Sequence, residues 1–381
     1  MNRCVAMKHL LILRSSLSYT DQKTYNSQEI GLAKDLCKKG YKVSVVLAGR
    51  DECVETQDGC TVYYLRIRRL QQSIGYFVHL EDLFRKLKPD IVQVHDLGMF
   101  ATYKAVRLSK KYNIPCVLIQ GMYDETRKPF KRQLEQAFNL MFGRYVLANV
   151  DGVGCKTETA ANYIKGYYGR VEPMITPVGL DVAKFKTPAS RVETRRKYGL
   201  DRDDRLLLFV GNANMPVKHV ETLVGMMKSM PAGYKLMIVG NNSACGDLME
   251  ESGNNVIWTG KILQENIPDI YAVADLFVFP SEYEIYGMVM LEAMYFGVPV
   301  LTTRTAGGKA LVTDGVTGYL IDGFSPDDWQ QKVCKIFSEE GLYARMREYV
   351  PQYVREKLLW SKTSESFIRL YDEAMERHRD K

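Results

Sequence analysis

Two glutamates with seven residues between them, Glu284 and Glu292, stand near the start of a predicted helix. A short apolar strand ends at Pro280, so Glu284 falls in the loop before the helix and Glu292 lies about two turns inside it. Carboxylates there can accept hydrogen bonds from the hydroxyls of one ligand, each worth about 1.5–3 kcal/mol. A capped amphipathic helix would explain the same residues, so the pair alone leaves both interpretations open.

The start of that helix, at Tyr286, Gly287 and Met288, is a candidate phosphate site. The first N–H groups of a helix lack partners within the helix and carry a partial positive charge, which suits a diphosphate. Gly287 would let a phosphate approach the backbone closely. With a ribose on the deeper glutamate, the segment predicts a nucleoside-diphosphate site.

Short apolar runs alternate with amphipathic stretches along the chain of 381 residues, the pattern of parallel strands joined by helices. The pattern breaks near residue 180 and then resumes, which predicts two α/β domains, 1–180 and 181–359. Each is expected to be Rossmann-like and doubly wound, facing a central cleft, with ligands beyond the carboxyl ends of its strands. The predicted strands are 10–13, 41–49, 91–94, 115–119, 150–154, 206–211, 235–240, 255–260, 275–281 and 298–303.

The net charge of +7 is concentrated in the first half, because residues 1–180 carry +10 and the remainder −3. A basic half suits nucleic acid, anionic lipid headgroups or a phosphate-bearing acceptor, although solvated lysines would explain it too. No recognised nucleic-acid module is present, so no nucleic-acid partner is predicted. Without a secretory signal, a membrane-spanning run or paired cysteine motifs, the chain is expected to be cytoplasmic.

The string PSEYEIYGMVMLEAMYFGVPVLTTRTAGG, residues 280–308, resembles the Pro-Ser-x-x-Glu-Gly-Phe-Gly…Glu-Ala-Met…Gly-x-Pro-Val signature of the group 1 retaining glycosyltransferases. These are enzymes of the two-domain GT-B fold. The resemblance implies transfer of a hexose-type sugar from a nucleotide-sugar donor to a glycan or lipid-linked acceptor, in cell-surface polysaccharide or glycolipid synthesis. It also implies that no metal or other cofactor is needed. The family's first glutamate contacts the donor sugar and its second the ribose, roles that fall on Glu284 and Glu292.

The segment FVGNANMPVKHVETLVGMM resembles the family's Val-Gly-Arg…Lys-Gly loop, in which the arginine and lysine hold the donor phosphates. Lys218 occupies the lysine position and is expected to be catalytic, although a lone lysine could equally lie on the surface. Asn212 stands in place of the arginine, which removes a bidentate phosphate contact from this donor-binding position.

Two further segments match the family's donor-binding loops. Gly307 and Gly308 lie in the glycine loop that approaches the donor sugar. Lys261 and Ile262 follow Gly260, where the backbone of family members meets the nucleotide base. The resemblance also implies that the last helix, 360–381, packs back on the first, acceptor-side domain.

In the first domain, His95 ends the buried run PDIVQVH and matches the histidine of the family's Asp-x-Val-His-x-His element. A histidine at a strand end is often structural, but the match favours a catalytic role in holding the donor sugar or positioning the acceptor. Two features depart from the family: the loop before the first helix lacks a glycine pair, and Gln120 and Gly121 replace a common histidine.

A stripe of apolar residues at helical spacing, surrounded by lysines and arginines, lies in the segment 124–150. It is typical of a core-facing helix, but it also fits a basic amphipathic helix on an anionic membrane, which would make the protein peripheral on the inner face. The stripe comprises Phe130, Leu134, Phe138, Met141 and Phe142, with Lys128, Lys131, Arg132 and Arg144 around it.

Three alternatives to a transferase follow from the same sequence. A dinucleotide oxidoreductase would need G-x-G-x-x-G after the first strand, and that motif is absent. A catalytically silent, nucleotide-sugar-binding partner subunit is favoured by Asn212 and the missing glycine pair. A nucleotide-sugar epimerase on the same fold would change the sugar without an acceptor.

Overall fold

A computed structural model describes residues 7–15, 27–69, 74–123, 138–167, 169 and 171–381 of the chain. The chain divides into two compact units, one made of Met1–Gly179 with Trp360–Lys381 and the other of Leu180–Leu359. The divisions predicted from the sequence were at residues 180 and 360.

The first unit is built on a mixed β-sheet with helices on its faces. Its strands are β1 (His9–Leu13), β2 (Lys42–Gly49), β3 (Cys53–Gln57), β4 (Cys60–Arg69), β5 (Gly75–Phe77), β6 (Ile91–His95), β7 (Cys116–Gln120), β8 (Gly152–Cys155) and β9 (Met174–Ile175). Its helices are α1 (Gln28–Lys38), α2 (Leu80–Leu87), α3 (Phe100–Lys111), a π-helical turn (Asn139–Gly143), α4 (Arg144–Asn149), α5 (Glu158–Tyr167) and the C-terminal helix (Trp360–Arg379).

The strand order β3-β4-β2-β1-β6-β7-β8-β9 places the fully buried β1 between β2 and β6. The pairs from β4 to β9 along this order are parallel, as predicted, whereas β3 and β5 pair with β4 in antiparallel fashion. The β3–β4 hairpin was not predicted. Its turn is Asp58-Gly59, with φ of 46° and 87°, and Asp-Gly favours such hairpin turns because both central residues need positive φ.

The C-terminal helix belongs to the first unit because small residues let it pack closely there. A Cβ atom on Gly31 of α1 would lie 2.2 Å from the Trp360 Nε1 atom, and one on Gly152 of β8 would lie 2.9 Å from Leu370 Cδ1. The Ser364 hydroxyl donates a hydrogen bond of 2.6 Å to the carboxylate of Asp35. The helix therefore covers α1 and β8, the packing that the family resemblance implied.

The second unit has a single parallel sheet in the order β12-β11-β10-β13-β14-β15. Its strands are β10 (Arg205–Val210), β11 (Tyr234–Val239), β12 (Val256–Gly260), β13 (Leu276–Phe279), β14 (Val300–Thr303) and β15 (Gly318–Ile321). Its helices are α6 (Arg191–Lys197), α7 (Val220–Met227), α8 (Gly246–Glu251), α9 (Ile267–Val273), α10 (Met288–Tyr295), α11 (Ala306–Leu311), α12 (Pro326–Ser338) and α13 (Leu342–Lys357), with 3₁₀ turns at Val182–Lys184, Pro216–Lys218 and Gln264–Asn266.

In each unit the strand order reverses at one central strand: successive strands are added first on one side of it and later on the other. Strand β10 lies between β11 and β13, and β1 lies between β2 and β6. The carboxyl ends of the strands that flank such a reversal leave a crevice where ligands bind in doubly wound sheets. Both units are therefore doubly wound α/β folds, as predicted, and the loops after β10 and β13 border the crevice of the second unit.

Candidate functional site

Lys218 places its ammonium group at the carboxyl ends of β10 and β13. It closes the 3₁₀ turn that follows β10, and its Nζ atom lies 2.8 Å from Glu284 Oε2 and 3.2 Å from Ser281 Oγ. Nζ also lies 4.6 Å from the centroid of the Phe279 ring. The Lys218 side chain is 14% exposed. A fixed positive charge thus stands where the strand order of the second unit reverses, which is called the switch point of the sheet.

The loop that carries Glu284 is supported by the start of helix α11. The Gly307 N–H donates a hydrogen bond of 3.0 Å to the backbone carbonyl of Glu284. A Cβ atom on Gly307 would lie 2.4 Å from the carbonyl oxygen of Tyr286, and one on Gly308 would lie 2.3 Å from that of Thr303. Gly307 is therefore required by close backbone packing under the loop, and Gly308 by close packing on the end of β14.

Helix α10 begins directly after this loop with a residue that glycine suits. Gly287 has φ of 85° and is the N-cap, and its carbonyl accepts hydrogen bonds from the N–H groups of Met290 and Leu291. The N–H groups of Met288 and Val289, in the first turn, have no acceptor within the helix. The helix start therefore supplies the partial positive charge that the sequence predicted. It follows closely in the chain on Glu284, the partner of Lys218.

Glu292 lies on α10 and is 6% exposed. Its Oε2 atom accepts a hydrogen bond of 2.9 Å from the Tyr271 hydroxyl on α9. Burial raises the pKa of Glu292 to about 7, and the Tyr271 hydrogen bond opposes this rise. The second glutamate is thus a buried carboxyl that titrates near neutral pH.

The other predicted donor-binding residues differ in exposure. Asn212 is exposed in the loop after β10, and its side-chain oxygen accepts a hydrogen bond of 3.3 Å from the Asn214 N–H. Lys261 is exposed and Ile262 half-buried, just beyond β12. Tyr286 is 2% exposed, and burial raises the pKa of its hydroxyl. Its ring is a core side chain, so any ligand contact of Tyr286 would come from its backbone.

His95 belongs to the first unit, at the carboxyl end of β6, where it is 6% exposed. Its Nε2 atom lies 2.8 Å from the amide nitrogen of Gln93, and its Nδ1 atom 4.0 Å from Glu29 Oε1. Burial lowers the pKa of His95, and the carboxylate of Glu29 only partly offsets this effect. His95 is therefore a neutral imidazole at pH 7, held between an amide and a carboxylate.

Glu29, at the first turn of α1, stays charged despite its burial. Burial alone would raise the pKa of this carboxyl, but the positive charges of Arg14, of Lys156 and, at low pH, of protonated His95 outweigh burial and hold the pKa well below its usual range. Lys156 also donates a hydrogen bond of 2.9 Å to Gln28 Oε1. A buried carboxylate with half-buried positive charges around it therefore lies beside His95, and this network was not predicted from the sequence.

Two family descriptions match the chain. "Glycosyl transferases group 1" matches residues 190–353, and "Glycosyltransferase Family 4" matches residues 30–184. The chain belongs to the group 1 glycosyltransferases. The recognition made from residues 280–308 is thereby confirmed.

Curated relatives of the chain include two D-inositol 3-phosphate glycosyltransferases. That of Segniliparus rotundus is 27% identical over 248 residues, 60% of this chain and 54% of the relative. That of Corynebacterium urealyticum is 30% identical over 217 residues, 52% of this chain and 50% of the relative. The chain thus matches about half the length of these relatives.

Solved structures show that the chain has the predicted GT-B fold. Sucrose-phosphate synthase from Thermosynechococcus elongatus superposes with a TM-score of 0.77 at 19% identity, covering 96% of this chain and 98% of that one. HepE from Anabaena, solved with UDP and glucose, superposes with a TM-score of 0.72 at 15% identity, covering 96% and 99%.

Two residues in the candidate site received no role from the sequence. Tyr271 lies in the segment after Gly260 that resembles a donor-binding loop of the family, and Ser281 is the serine of the family's Pro-Ser element. Both lie within recognised motifs, so the signal was present. Their contacts, to Glu292 and to Lys218, depend on packing between elements that sequence spacing does not give.

Two features are absent from the part of the chain that the structure describes. Within the described ranges no group of three or more His, Cys, Asp or Glu side chains is placed to hold a metal ion. Over the same residues no helix is both long enough and apolar enough to cross a membrane. The segment 16–26, with the missing glycine pair, lies outside the described residues.

Proposed function

We propose that the protein is a retaining, metal-independent glycosyltransferase that moves a hexose-type sugar from a nucleotide-sugar donor to a glycan or lipid-linked acceptor. The observation that carries this proposal is the meeting of Lys218, Glu284 and the start of α10 at the switch point of the second unit. HepE, which shares the fold, was solved in complex with UDP and glucose, so UDP-glucose is the first donor to test.

In the proposed reaction, the bond between the sugar and the diphosphate breaks while the acceptor hydroxyl attacks from the face that the diphosphate leaves. Negative charge develops on the departing diphosphate, where the Lys218 ammonium and the first-turn N–H groups of α10 would stabilise it. Since these groups are already in place, little reorganisation is needed as the bond breaks. The acceptor proton passes to the departing diphosphate.

The carboxylates would orient the donor. Glu284, which already accepts a hydrogen bond from Lys218, would contact the sugar hydroxyls, and Glu292 would accept hydrogen bonds from the ribose. His95 would position the sugar or the acceptor hydroxyl as a neutral imidazole, because burial lowers its pKa. In this scheme Lys218 and the helix start supply the positive charge that a divalent cation supplies in other transferases, so we expect activity to persist in EDTA.

We further propose that the protein works at the cytoplasmic face of a membrane, where lipid-linked acceptors are found. Two observations support this: the net charge of +10 on residues 1–180, and the exposure of Leu140 and Met141, at 56% and 65%, in the π-helical turn. Phe142, which belongs with Met141 to the apolar stripe seen in the sequence, instead packs on Tyr103, with ring centroids 4.7 Å apart. The residues of the stripe from 128 to 134 lie outside the described residues.

Sedimentation with liposomes tests the membrane proposal. Binding to vesicles with anionic lipid that weakens as salt is raised, and that falls in Leu140→Ser/Met141→Ser, would support it. No sedimentation at low salt would contradict it.

The transferase proposal is tested by thermal shift and turnover in EDTA with UDP-, GDP-, ADP- and dTDP-sugars. We expect one nucleotide family to stabilise the wild type, Lys218→Ala to bind it more weakly, and sugar transfer to retain the anomeric configuration. Binding without turnover on any acceptor would instead indicate a silent partner subunit, and a changed sugar without an acceptor an epimerase. No stabilisation by any donor would contradict the proposed donor site.

A further inference from the structure

His219, directly after Lys218, adopts a backbone conformation that is uncommon for a residue with a side chain. Its φ is 44° and its ψ 45°, in the left-handed region, where it serves as the N-cap of α7. Glycine is the residue that adopts this conformation at no steric cost, and the family's Lys-Gly element has a glycine here. A histidine thus stands where a glycine would be less strained, so we infer that the ring has a role that a glycine could not perform.

The imidazole ring is held on three sides. Its Nδ1 atom lies 2.9 Å from Glu221 Oε1, and its Nε2 atom lies 3.7 Å from Glu282 Oε2. One ring face stacks on Phe324, with centroids 3.8 Å apart and planes 22° apart. The Nε2 atom is buried and has no hydrogen-bond partner among the described residues, so the ring faces protein groups and not a ligand.

Three consecutive residues join the loop after β10 to the loop after β13. The Val217 carbonyl accepts a hydrogen bond of 2.8 Å from the Glu282 N–H. Lys218 binds Glu284, and His219 faces Glu282. Lys218 thus lies between Val217, which is hydrogen-bonded to the loop that carries Glu284, and His219, whose ring lies beside that loop.

We propose that His219 is a positioning residue that holds the Lys218 ammonium in place for the donor diphosphate. This inference rests on the proposed function, because it assigns Lys218 to the diphosphate. Ordering a long side chain on binding costs about 0.5–1.5 kcal/mol, and a residue that orders it beforehand removes that cost. Loss of the His219 ring should therefore weaken diphosphate binding by about two- to twelvefold.

The test compares two glycine substitutions, His219→Gly and His79→Gly. His79 is a matched control because it is also a left-handed N-cap histidine, with φ of 58°, whose Nδ1 atom lies 3.1 Å from a nearby carboxylate, Asp82 Oδ2. It lies in the first unit. Both substitutions relieve the same backbone strain, so neither is expected to prevent folding, and melting temperatures check this.

Dissociation constants for UDP and for uridine are measured by calorimetry on the full chain. We expect His219→Gly to weaken UDP binding by about two- to twelvefold while leaving uridine binding unchanged, since uridine has no phosphate. We expect His79→Gly to match the wild type for both ligands. Glu282→Gln, which removes the charge that faces the ring, should weaken UDP binding in the same direction as His219→Gly.

Each other result is decisive. Wild-type affinity for UDP in His219→Gly would overturn the positioning role while leaving the donor site intact. Equal losses for UDP and uridine would also overturn it, because they would indicate general damage to the unit. Failure of the wild type to bind any of UDP, GDP, ADP or dTDP would overturn the proposed donor site, and this inference with it.

Discussion

The hydroxyl of Tyr271 lies 2.9 Å from the carboxylate of Glu292, in a pair that is buried between helices α9 and α10. The Tyr271 ring also stacks on Phe296, with centroids 5.7 Å apart and planes 9° apart, which fixes its direction. Burial raises the pKa of Glu292 to about 7, so the charge of this residue, the proposed hydrogen-bond partner of the ribose, changes in the physiological pH range. Donor binding and stability should therefore both depend on pH.

The affinity for UDP should rise with pH through about 7, because the ionised Glu292 is the better acceptor for ribose hydroxyls. If only the ionised form binds, the gain from pH 6 to pH 8 is about tenfold. Calorimetry with UDP over this range measures it.

Glu292→Gln and Tyr271→Phe are the controls for this prediction. In Glu292→Gln the rise at this site should vanish, and any rise that remains reports ionisation of the UDP phosphate itself. In Tyr271→Phe the hydrogen bond that lowers the pKa of Glu292 is lost, so the midpoint should move to higher pH. Identical pH profiles in all three proteins would contradict the assignment of Glu292 to the ribose.

The stability of the folded chain should show the opposite dependence on pH. Between pH 4.5, the ordinary pKa of a glutamate, and about 7, Glu292 is protonated in the folded chain and ionised in the unfolded chain. The folded state therefore binds more protons, and its stability falls as pH rises through this window, by about 3 kcal/mol in total. As pH rises through this window, the melting temperature of the wild type should fall by several degrees relative to that of Glu292→Gln. A rise in the wild-type melting temperature would contradict the effect of burial on the pKa of Glu292.

The positions of ten strands could be predicted, because buried parallel strands are short apolar runs that can be recognised without knowing the strand they pair with. The predicted runs at 10–13 and 206–211 correspond to His9–Leu13 and Arg205–Val210. The strand Cys53–Gln57 was missed because it is an edge strand with mostly exposed side chains. Its Asp-Gly turn was the local signal that could have revealed it.

The site could be predicted only as far as its residues follow from motif and loop position. Glu284 and Lys218 lie in loops after neighbouring strands, so their meeting follows from the strand order of a doubly wound sheet. The burial of Tyr286 and the Tyr271–Glu292 pair depend on how helices pack on the sheet, which residue spacing does not specify. The left-handed backbone of His219 could not be predicted either, because a histidine stands where a glycine would have indicated this conformation.

Gly307→Ala should destabilise the second unit and weaken donor binding together. The new methyl group would lie 2.4 Å from the backbone carbonyl of Tyr286, which no rotamer change can relieve, so the Glu284 loop must shift. Overpacking of this kind costs about 1–3 kcal/mol.

Melting temperature and UDP affinity of Gly307→Ala are compared with those of Gly246→Ala. A Cβ atom on Gly246, in the same unit, would meet nothing within 4 Å, so that variant should melt at or slightly above the wild-type temperature. Equal behaviour of the two variants would contradict the close packing beneath the Glu284 loop.

Lys218→Ala should reduce kcat/KM for transfer by about 100-fold or more, the usual effect of losing one preorganised group that stabilises developing negative charge. Lys218→Arg keeps the charge but cannot reproduce the contacts of a compact ammonium with both Glu284 and Ser281, so an intermediate loss is expected. The matched control is Lys261→Ala, since Lys261 is exposed and is expected to contact the donor only through its backbone. That control should stay within about twofold of the wild type, because removing an exposed side chain away from special contacts changes little. A loss in Lys218→Ala no larger than that in Lys261→Ala would remove Lys218 from the reaction.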